Sequence, residues 1–340
     1  MKDGLMDAVV LERVGSPLGL RRIEIPRPGP GQVLIRVAAS PINPSDFGFV
    51  SGTYGSGPAL PAIPGFEGSG TVVARGPGPL PWLLEGRNVA FASATAGGWA
   101  EYVVVPAASC IPVGRALDLE QAATLVVNPY TAVAFFDIVR REGHAAIVSD
   151  AAASALGKMI VRLGHSRRVP IINIVRRAEQ ASELLAMGAP HVLLDSEEGF
   201  TERLRHLAHR LRATLVLDPV GGTRTGVLVD AAPPGSTILA YSLLSGEPSV
   251  YSARRLIAER KRIESFYLGH WIARRGVFKK IMDVRDLRRL ARAELRTHVD
   301  RKIPLAEAAK AVEMSRGPAT AGKTLLVADR EILSAPTAAT

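Results

Sequence analysis

The residues whose types and spacing could carry chemistry lie between Ala145 and Arg177, in AAIVSDAAASALGKMIVRLGHSRRVPIINIVRR. A short apolar run, Ala145 to Val148, meets a turn of very small residues. A helical segment from about Ala155 to Leu163 follows. A second apolar run, Ile171 to Val175, ends in Arg176 and Arg177. Strand, turn, helix, strand is the unit that holds the pyrophosphate of a dinucleotide. Small side chains in its turn let backbone N–H groups and the positive helix end reach phosphate oxygens. The G-x-G-x-x-G consensus is eroded here to Ala151, Ser154 and Gly157, so the pattern is weak on its own. The arginines strengthen it. About 20 residues beyond the turn, an acidic side chain accepts from the ribose 2′-hydroxyl of NAD, whereas an arginine pairs with the 2′-phosphate of NADP. Arg176 and Arg177 stand at that place and point to NADPH. The plainer alternative is a buried β-α-β unit that happens to end in exposed arginines.

The elements that must position this unit come next. With 340 residues and 47% apolar side chains, the chain has room for two domains with sizeable cores. No apolar run approaches the roughly 18 residues of a membrane span, and the N-terminus lacks a charged-then-apolar signal pattern. The tail of Ala, Pro and Thr after Leu333 has the composition of a disordered end. One cysteine, Cys110, excludes an internal disulfide and a zinc site of several thiolates, and fits a reducing cytosol. The net charge of +10 is concentrated between Arg254 and Lys302. No zinc-finger spacing, aromatic RNA motif or bZIP heptad accompanies it, so no nucleic-acid partner is expected. A solvated surface accounts for the charge, as does a phosphate-bearing ligand such as NADPH or a CoA thioester.

The first 125 or so residues read as strands at Val33–Ala38, Thr71–Ala74, Asn88–Ala92 and Ala100–Val105, separated by Gly/Pro turns. Helical spacing runs from Ala122 to Val139. Strands at Ala145–Val148, Ile171–Val175, Val192–Leu194, Leu215–Leu217 and Thr237–Ala240 then alternate with helices, which predicts a parallel sheet covered on both faces. The pattern turns mixed after about Glu264 and closes with a helix near Leu305–Met314 and a strand at Thr324–Val327. The expected organisation is a β-rich domain from residues 1–125 and 266–340 with a doubly wound domain, 126–265, inserted in it. The active site is expected in the cleft between them.

At this point the chain resembles the medium-chain dehydrogenase/reductase family, which includes zinc alcohol dehydrogenases and zinc-free quinone and enoyl reductases. The resemblance rests on PGPGQVLIRV (Pro28–Val37), GFEGSGTVV (Gly65–Val73), GGWAEYVVVP (Gly97–Pro106), VLDPVGG (Val216–Gly222) and AGKTLLV (Ala321–Val327). It implies an α/β architecture, a GroES-like β-rich catalytic domain plus a Rossmann domain with a doubly wound parallel sheet, assembled as a homodimer. Zinc members place a Cys early in the catalytic domain and a His in Gly-His-Glu. Here Asn43-Pro44-Ser45-Asp46 and Gly65-Phe66-Glu67 stand instead, and the four-cysteine structural lobe is absent. His206 and His209, three apart on a predicted helix, are two histidines without partners, so no metal is expected.

Ile42–Gly68 and Val126–Ala132 resemble the mitochondrial-type 2-enoyl thioester reductases. The resemblance implies a catalytic role for Tyr54, in Gly52-Thr53-Tyr54-Gly55, as hydrogen-bond or proton donor to the substrate. A phenol, with a pKa of about 10, keeps its proton at neutral pH; the alternative for Tyr54 is a loop aromatic. The same resemblance places Asn43, Asp46, Trp99, Tyr130, Phe266 and Trp271 at the substrate pocket. Asn43 and Asp46 also suit a turn and helix cap, and Trp99 suits a core. Thr131, Leu156, Tyr241, Leu243 and Leu244 join Ala151, Ser154, Gly157, Arg176 and Arg177 as cofactor contacts. Asp150 replaces the Asn usual in enoyl reductases, and Ala155 replaces a Gly. A carboxylate facing pyrophosphate would repel it unless it turned away to cap the helix. The resulting expectation is a zinc-independent, NADPH-dependent reductase of an activated C=C bond, with a 2-enoyl thioester of CoA or acyl carrier protein as substrate. An NADPH:quinone oxidoreductase is the alternative, and a non-catalytic NADPH-binding sensor or structural protein is the third.

Overall fold

The structure, a computed structural model, describes residues 4–53, 57, 59–114, 117–315, 322–329 and 332–333. The chain divides into two compact units, one made of residues 1–129 and 284–340, the other of 130–283.

The first unit opens with an antiparallel pair, β1 (Leu5–Val10) and β2 (Gly19–Glu24). Strand β3 (Gln32–Pro41) leads into a short helix, α1 (Pro44–Val50), followed by β4 (Glu67–Arg75), α2 (Pro79–Leu84), β5 (Asn88–Ala92), β6 (Tyr102–Pro106), β7 (Cys110–Pro112) and α3 (Leu119–Ala123). Alternate residues of β3, Val33, Ile35 and Val37, turn to one face and pack with Val72, Val89, Phe91, Val103 and Val105. That period of two is what lets a strand bury one face. Ala122 to Val139, with the spacing of one helix, forms two. α3 ends at Ala123, and α4 (Val127–Glu142) begins four residues later. The break has a chemical cause, because the Glu67 carboxylate accepts from the backbone N–H of both Val126 (3.0 Å) and Val127 (2.8 Å) and so starts a fresh helix.

The second unit carries β8 (Ile147–Ser149), α5 (Ala155–Arg167), β9 (Ile171–Val175), α6 (Ala178–Ala186), β10 (His191–Leu194), α7 (Phe200–Leu211), β11 (Leu215–Asp218), α8 (Thr223–Ala231), β12 (Thr237–Ala240), α9 (Ala253–Ala258), β13 (Arg262–Ser265) and α10 (Leu268–Ala273). All six strands are parallel, in the order β10-β9-β8-β11-β12-β13. This is the doubly wound order, with the reversal at β8. Side chains alternate between its two faces. Val148, Ile172, Ile174, Val216 and Ile238 pack with Phe200, Leu204 and Ala208, the buried stripe of α7. Val175 packs on the other side with Val161 of α5 and Leu184 of α6. Burial of both faces is why these strands read as continuous apolar runs.

α11 (Val277–Leu290) returns the chain to the first unit, where β14 (Val299–Pro304), α12 (Ala308–Ser315) and β15 (Lys323–Val327) complete it. The larger sheet there has the order β14-β15-β3-β4-β5-β7, with β6 paired to β3. No helix among the described residues is long and apolar enough to cross a membrane.

Candidate functional site

The dinucleotide-type turn lies where β8 meets α5. Ser154 caps α5, its hydroxyl accepting from the Gly157 N–H at 3.1 Å. Ala151 has a φ of 48°, the left-handed conformation that the consensus glycine normally supplies. An alanine holds it at a cost of roughly 1–2 kcal/mol. Gly157 cannot be larger, since a Cβ there would lie 2.3 Å from the Ala152 carbonyl oxygen, and it is this absence of a side chain that seats the helix on the turn. Leu156 is buried beside it. At the end of β9, Arg176 and Arg177 are exposed, and neither makes an ion pair among the described residues. The donor set therefore fits a phosphorylated dinucleotide.

Asp150 neither points into solvent nor caps α5. It is 4% exposed, and one carboxylate oxygen accepts from the adjacent Ala151 N–H at 2.8 Å. The other oxygen lies 3.4 Å from Arg224 Nε, at the start of α8. Arg224 also pairs with Asp195, just past β10, and its guanidinium lies 5.3 Å from the Phe200 ring centroid. Burial raises the Asp150 carboxyl to about 6, while Arg224 and the Ala151 N–H pull it down. Asp218 stands at the end of β11. It accepts from Val220 N (2.9 Å), Gly221 N (3.0 Å) and the Thr225 hydroxyl (2.6 Å), which explains the Val-Leu-Asp-Pro-Val-Gly-Gly string.

Two aromatic groups gather further along this unit. Phe135 packs edge-on against Tyr241 (5.1 Å) and Phe266 (4.9 Å). Tyr130 meets Trp271 at 5.7 Å, and the Arg275 guanidinium lies 3.9 Å over the Trp271 ring. Arg275 is clamped by Asp137 (2.8 Å) and Asp283 (2.5 Å), and the Tyr130 hydroxyl donates to Asp283 at 3.3 Å. Burial and the Asp283 carboxylate together keep the Tyr130 phenol protonated well above its usual range. Thr131 is buried on α4, whereas Leu243 and Leu244 are about half exposed. Tyr54 lies outside the described residues.

In the first unit, Asn43 and Asp46 sit inside a sealed polar cluster. The Asn43 N–H donates to Asp46 at 2.7 Å, and its amide donates to Glu67 at 3.0 Å. Lys323, from β15, donates to the Asn43 amide oxygen and to the Ile42 carbonyl (3.2 Å). Phe66 N–H donates to the second Asp46 oxygen at 3.2 Å. Burial raises Asp46 to about 7 and raises Glu67 as well; it lowers Lys323. Trp99 is fully buried among Val9, Ile42, Leu305 and Leu326, its ring against Gly65, where a Cβ would come within 2.5 Å of it. Neither Lys323, Glu67, Arg224 nor Asp195 stands out in the sequence as a site residue, because each acquires its role from a partner far along the chain. His206 and His209 are exposed on α7, and among the described residues no group of three or more His, Cys, Asp or Glu side chains could hold a metal.

Comparison with known proteins gives this geometry its family. Residues 29–115 match the alcohol dehydrogenase GroES-like domain, and residues 187–326 match the domain described as zinc-binding dehydrogenase. The chain is 30% identical over 330 residues to the mitochondrial enoyl-[acyl-carrier-protein] reductase of Bos taurus, covering 94% of this chain and 88% of that one. Its fold superimposes with a TM-score of 0.88 on a candidate NADPH:quinone reductase from Mesorhizobium loti, at 34% identity and coverages of 96% and 99%. It also matches the quinone oxidoreductase of Thermus thermophilus, solved in complex with NADPH as well, with a TM-score of 0.75 at 26% identity and coverages of 95% and 100%. A GroES-like domain joined to a Rossmann domain defines a class of two-domain oxidoreductases. This chain belongs to the medium-chain dehydrogenase/reductase family.

Proposed function

We propose that this chain is a zinc-independent, NADPH-dependent reductase of an activated carbon–carbon double bond, acting on a 2-enoyl thioester of CoA or acyl carrier protein. The observation that carries the cofactor is the small-residue turn followed by the exposed Arg176–Arg177 pair. The relation to the bovine enoyl reductase over 94% of the chain supports the substrate class.

Bound NADPH supplies a hydride for the β-carbon of the enoyl group. Reduction is completed by a proton at the α-carbon, and the thioester carbonyl oxygen needs a hydrogen bond while negative charge develops on it. Tyr54 is the donor in this reading, because a phenol holds its proton at neutral pH and can release it as charge builds. Tyr130, Phe266 and Trp271 supply an apolar wall, and Thr131, Tyr241, Leu243 and Leu244 serve the nicotinamide half of the cofactor.

Zinc does not fit the donor set. Phe66 occupies the place of the zinc-binding histidine in Gly-His-Glu, and Asn43 and Glu67 already serve a resident cation, the Lys323 ammonium. The exposed apolar residues Val250, Tyr251 and Ile257 lie in the segment that leads into the edge strand β13 and support assembly as a homodimer. The single cysteine supports a cytosolic setting.

The likeness to the Mesorhizobium loti structure favours quinone reduction as the second reading. The test is NADPH consumption by wild type and Tyr54→Phe, with crotonyl-CoA and with 9,10-phenanthrenequinone. Thioester-dependent turnover that falls on the order of a hundredfold in the variant is expected. Turnover of the quinone alone, indifferent to the substitution, would replace the enoyl reading.

A further inference from the structure

The Asp150 carboxylate stands at the carboxyl end of β8, one residue before the phosphate-type turn, and its first oxygen already occupies the Ala151 N–H. A dinucleotide phosphate brought to this turn would meet a like charge. The second oxygen of Asp150 makes no hydrogen bond among the described residues, and the cation that faces it is Arg224, at 3.4 Å, with Asp195 and Asp218 as like charges nearby. Arg224 is in turn held in place on two sides. Asp195 pairs with it from the end of β10, and the Phe200 ring lies beneath its guanidinium. The segments after two parallel strands, β8 and β10, thus converge on one arginine at the start of α8, at the sheet edge where doubly wound folds take nucleotides.

We propose that Arg224 is a cofactor-positioning residue, the counter-charge that lets a turn carrying Asp150 accept the pyrophosphate of NADPH. The inference deepens the NADPH reading and rests on it. Arg224 acts through Asp150. It offsets part of the carboxylate's field at the turn, sharing its charge with Asp195, and holds the side chain against the Ala151 N–H, so that α5 keeps its positive end turned to the ligand. The erosion of the glycine consensus and the arrival of an acid at position 150 are then two halves of one arrangement, with Arg224 completing it.

The test is a double-mutant cycle read by calorimetric titration of the full chain with NADPH, comparing wild type, Arg224→Gln, Asp150→Asn and the double variant. Arg224→Gln should weaken binding about tenfold or more, because it leaves a buried carboxylate unpaired beside the ligand. Asp150→Asn should bind as well as wild type or better. The double variant should recover to within about threefold of Asp150→Asn, a non-additivity that independent sites do not show. Arg224→Lys, which keeps the charge, should lie between wild type and Arg224→Gln and serves if the glutamine variant fails to fold. An unchanged affinity in Arg224→Gln, or a loss that Asp150→Asn does not recover, would overturn the proposal. Failure of the wild type to bind NADPH would instead overturn the cofactor reading itself.

Discussion

Lys323 and Arg224 each face two acids, Asp46 and Glu67 in one case and Asp150 and Asp195 in the other, yet their surroundings differ. The Lys323 cluster is closed. Its acids are at most 1% exposed, and every carboxylate oxygen is given a donor by Asn43, Phe66, Val126 or Val127. Much of that bonding goes to backbone, so the cluster's product is architecture, and Glu67 in particular sets where α4 begins. The Arg224 cluster is partly open, with 19% of the arginine side chain exposed and one Asp150 oxygen lacking a hydrogen bond. Charge that is fully bonded specifies a fold, whereas charge left one partner short at a strand end is available to a ligand.

The contrast can be broken most forcefully at Lys323. Lys323→Met should cost about 3–5 kcal/mol, as expected when one member of a buried charge group is removed. Urea denaturation of the full chain measures it, and a loss below about 1 kcal/mol would mean the cluster is not structural. The pH dependence of stability sharpens the same point. Because burial raises Asp46 from 3.8 to about 7, against the pull of Lys323 and the Asn43 and Phe66 N–H groups, the native state keeps a proton that the unfolded chain releases. Stability from this group is full below pH 3.8 and is lost as pH rises towards 7. Asp46→Asn should flatten that slope, by an amount on the order of a few kcal/mol across the window, and an unaltered slope would assign the dependence elsewhere. The smallest effect belongs to the turn. Ala151→Gly should raise stability by about 1 kcal/mol, since it relieves a left-handed alanine, and thermal unfolding will show it. No gain there would mean that the strain of alanine at φ 48° does not exceed the extra chain entropy that glycine loses on folding.

Legibility in the sequence followed the range of the interactions. The β8-turn-α5-β9 unit is local, and its apolar runs, small residues and closing arginines lie within about thirty consecutive positions. Burial of both sheet faces made β9 and β12 readable to the residue. The split between α3 and α4 was not readable, because helical spacing is continuous from Ala122 to Val139 and the break is imposed by Glu67, some sixty residues earlier. Arg224 and Asp195 were equally hidden. Each is an ordinary charge in its own segment, and only the parallel topology brings the ends of β8 and β10 to the start of α8. Asn43 and Asp46 fall between these cases. Their cap chemistry is local and legible, while their enclosure by Lys323 comes from 280 residues further on.

Calorimetric titration of the full chain with NADPH and with NADH, for wild type and for the Arg176→Ala, Arg177→Ala double variant, tests the cofactor claim most directly. Wild type should prefer NADPH by about tenfold or more, and the double variant should lose that preference while NADH binding stays nearly constant. Equal affinity of the wild type for both cofactors, or a preference that survives the loss of both arginines, would contradict the assignment of this sheet edge as an NADPH site.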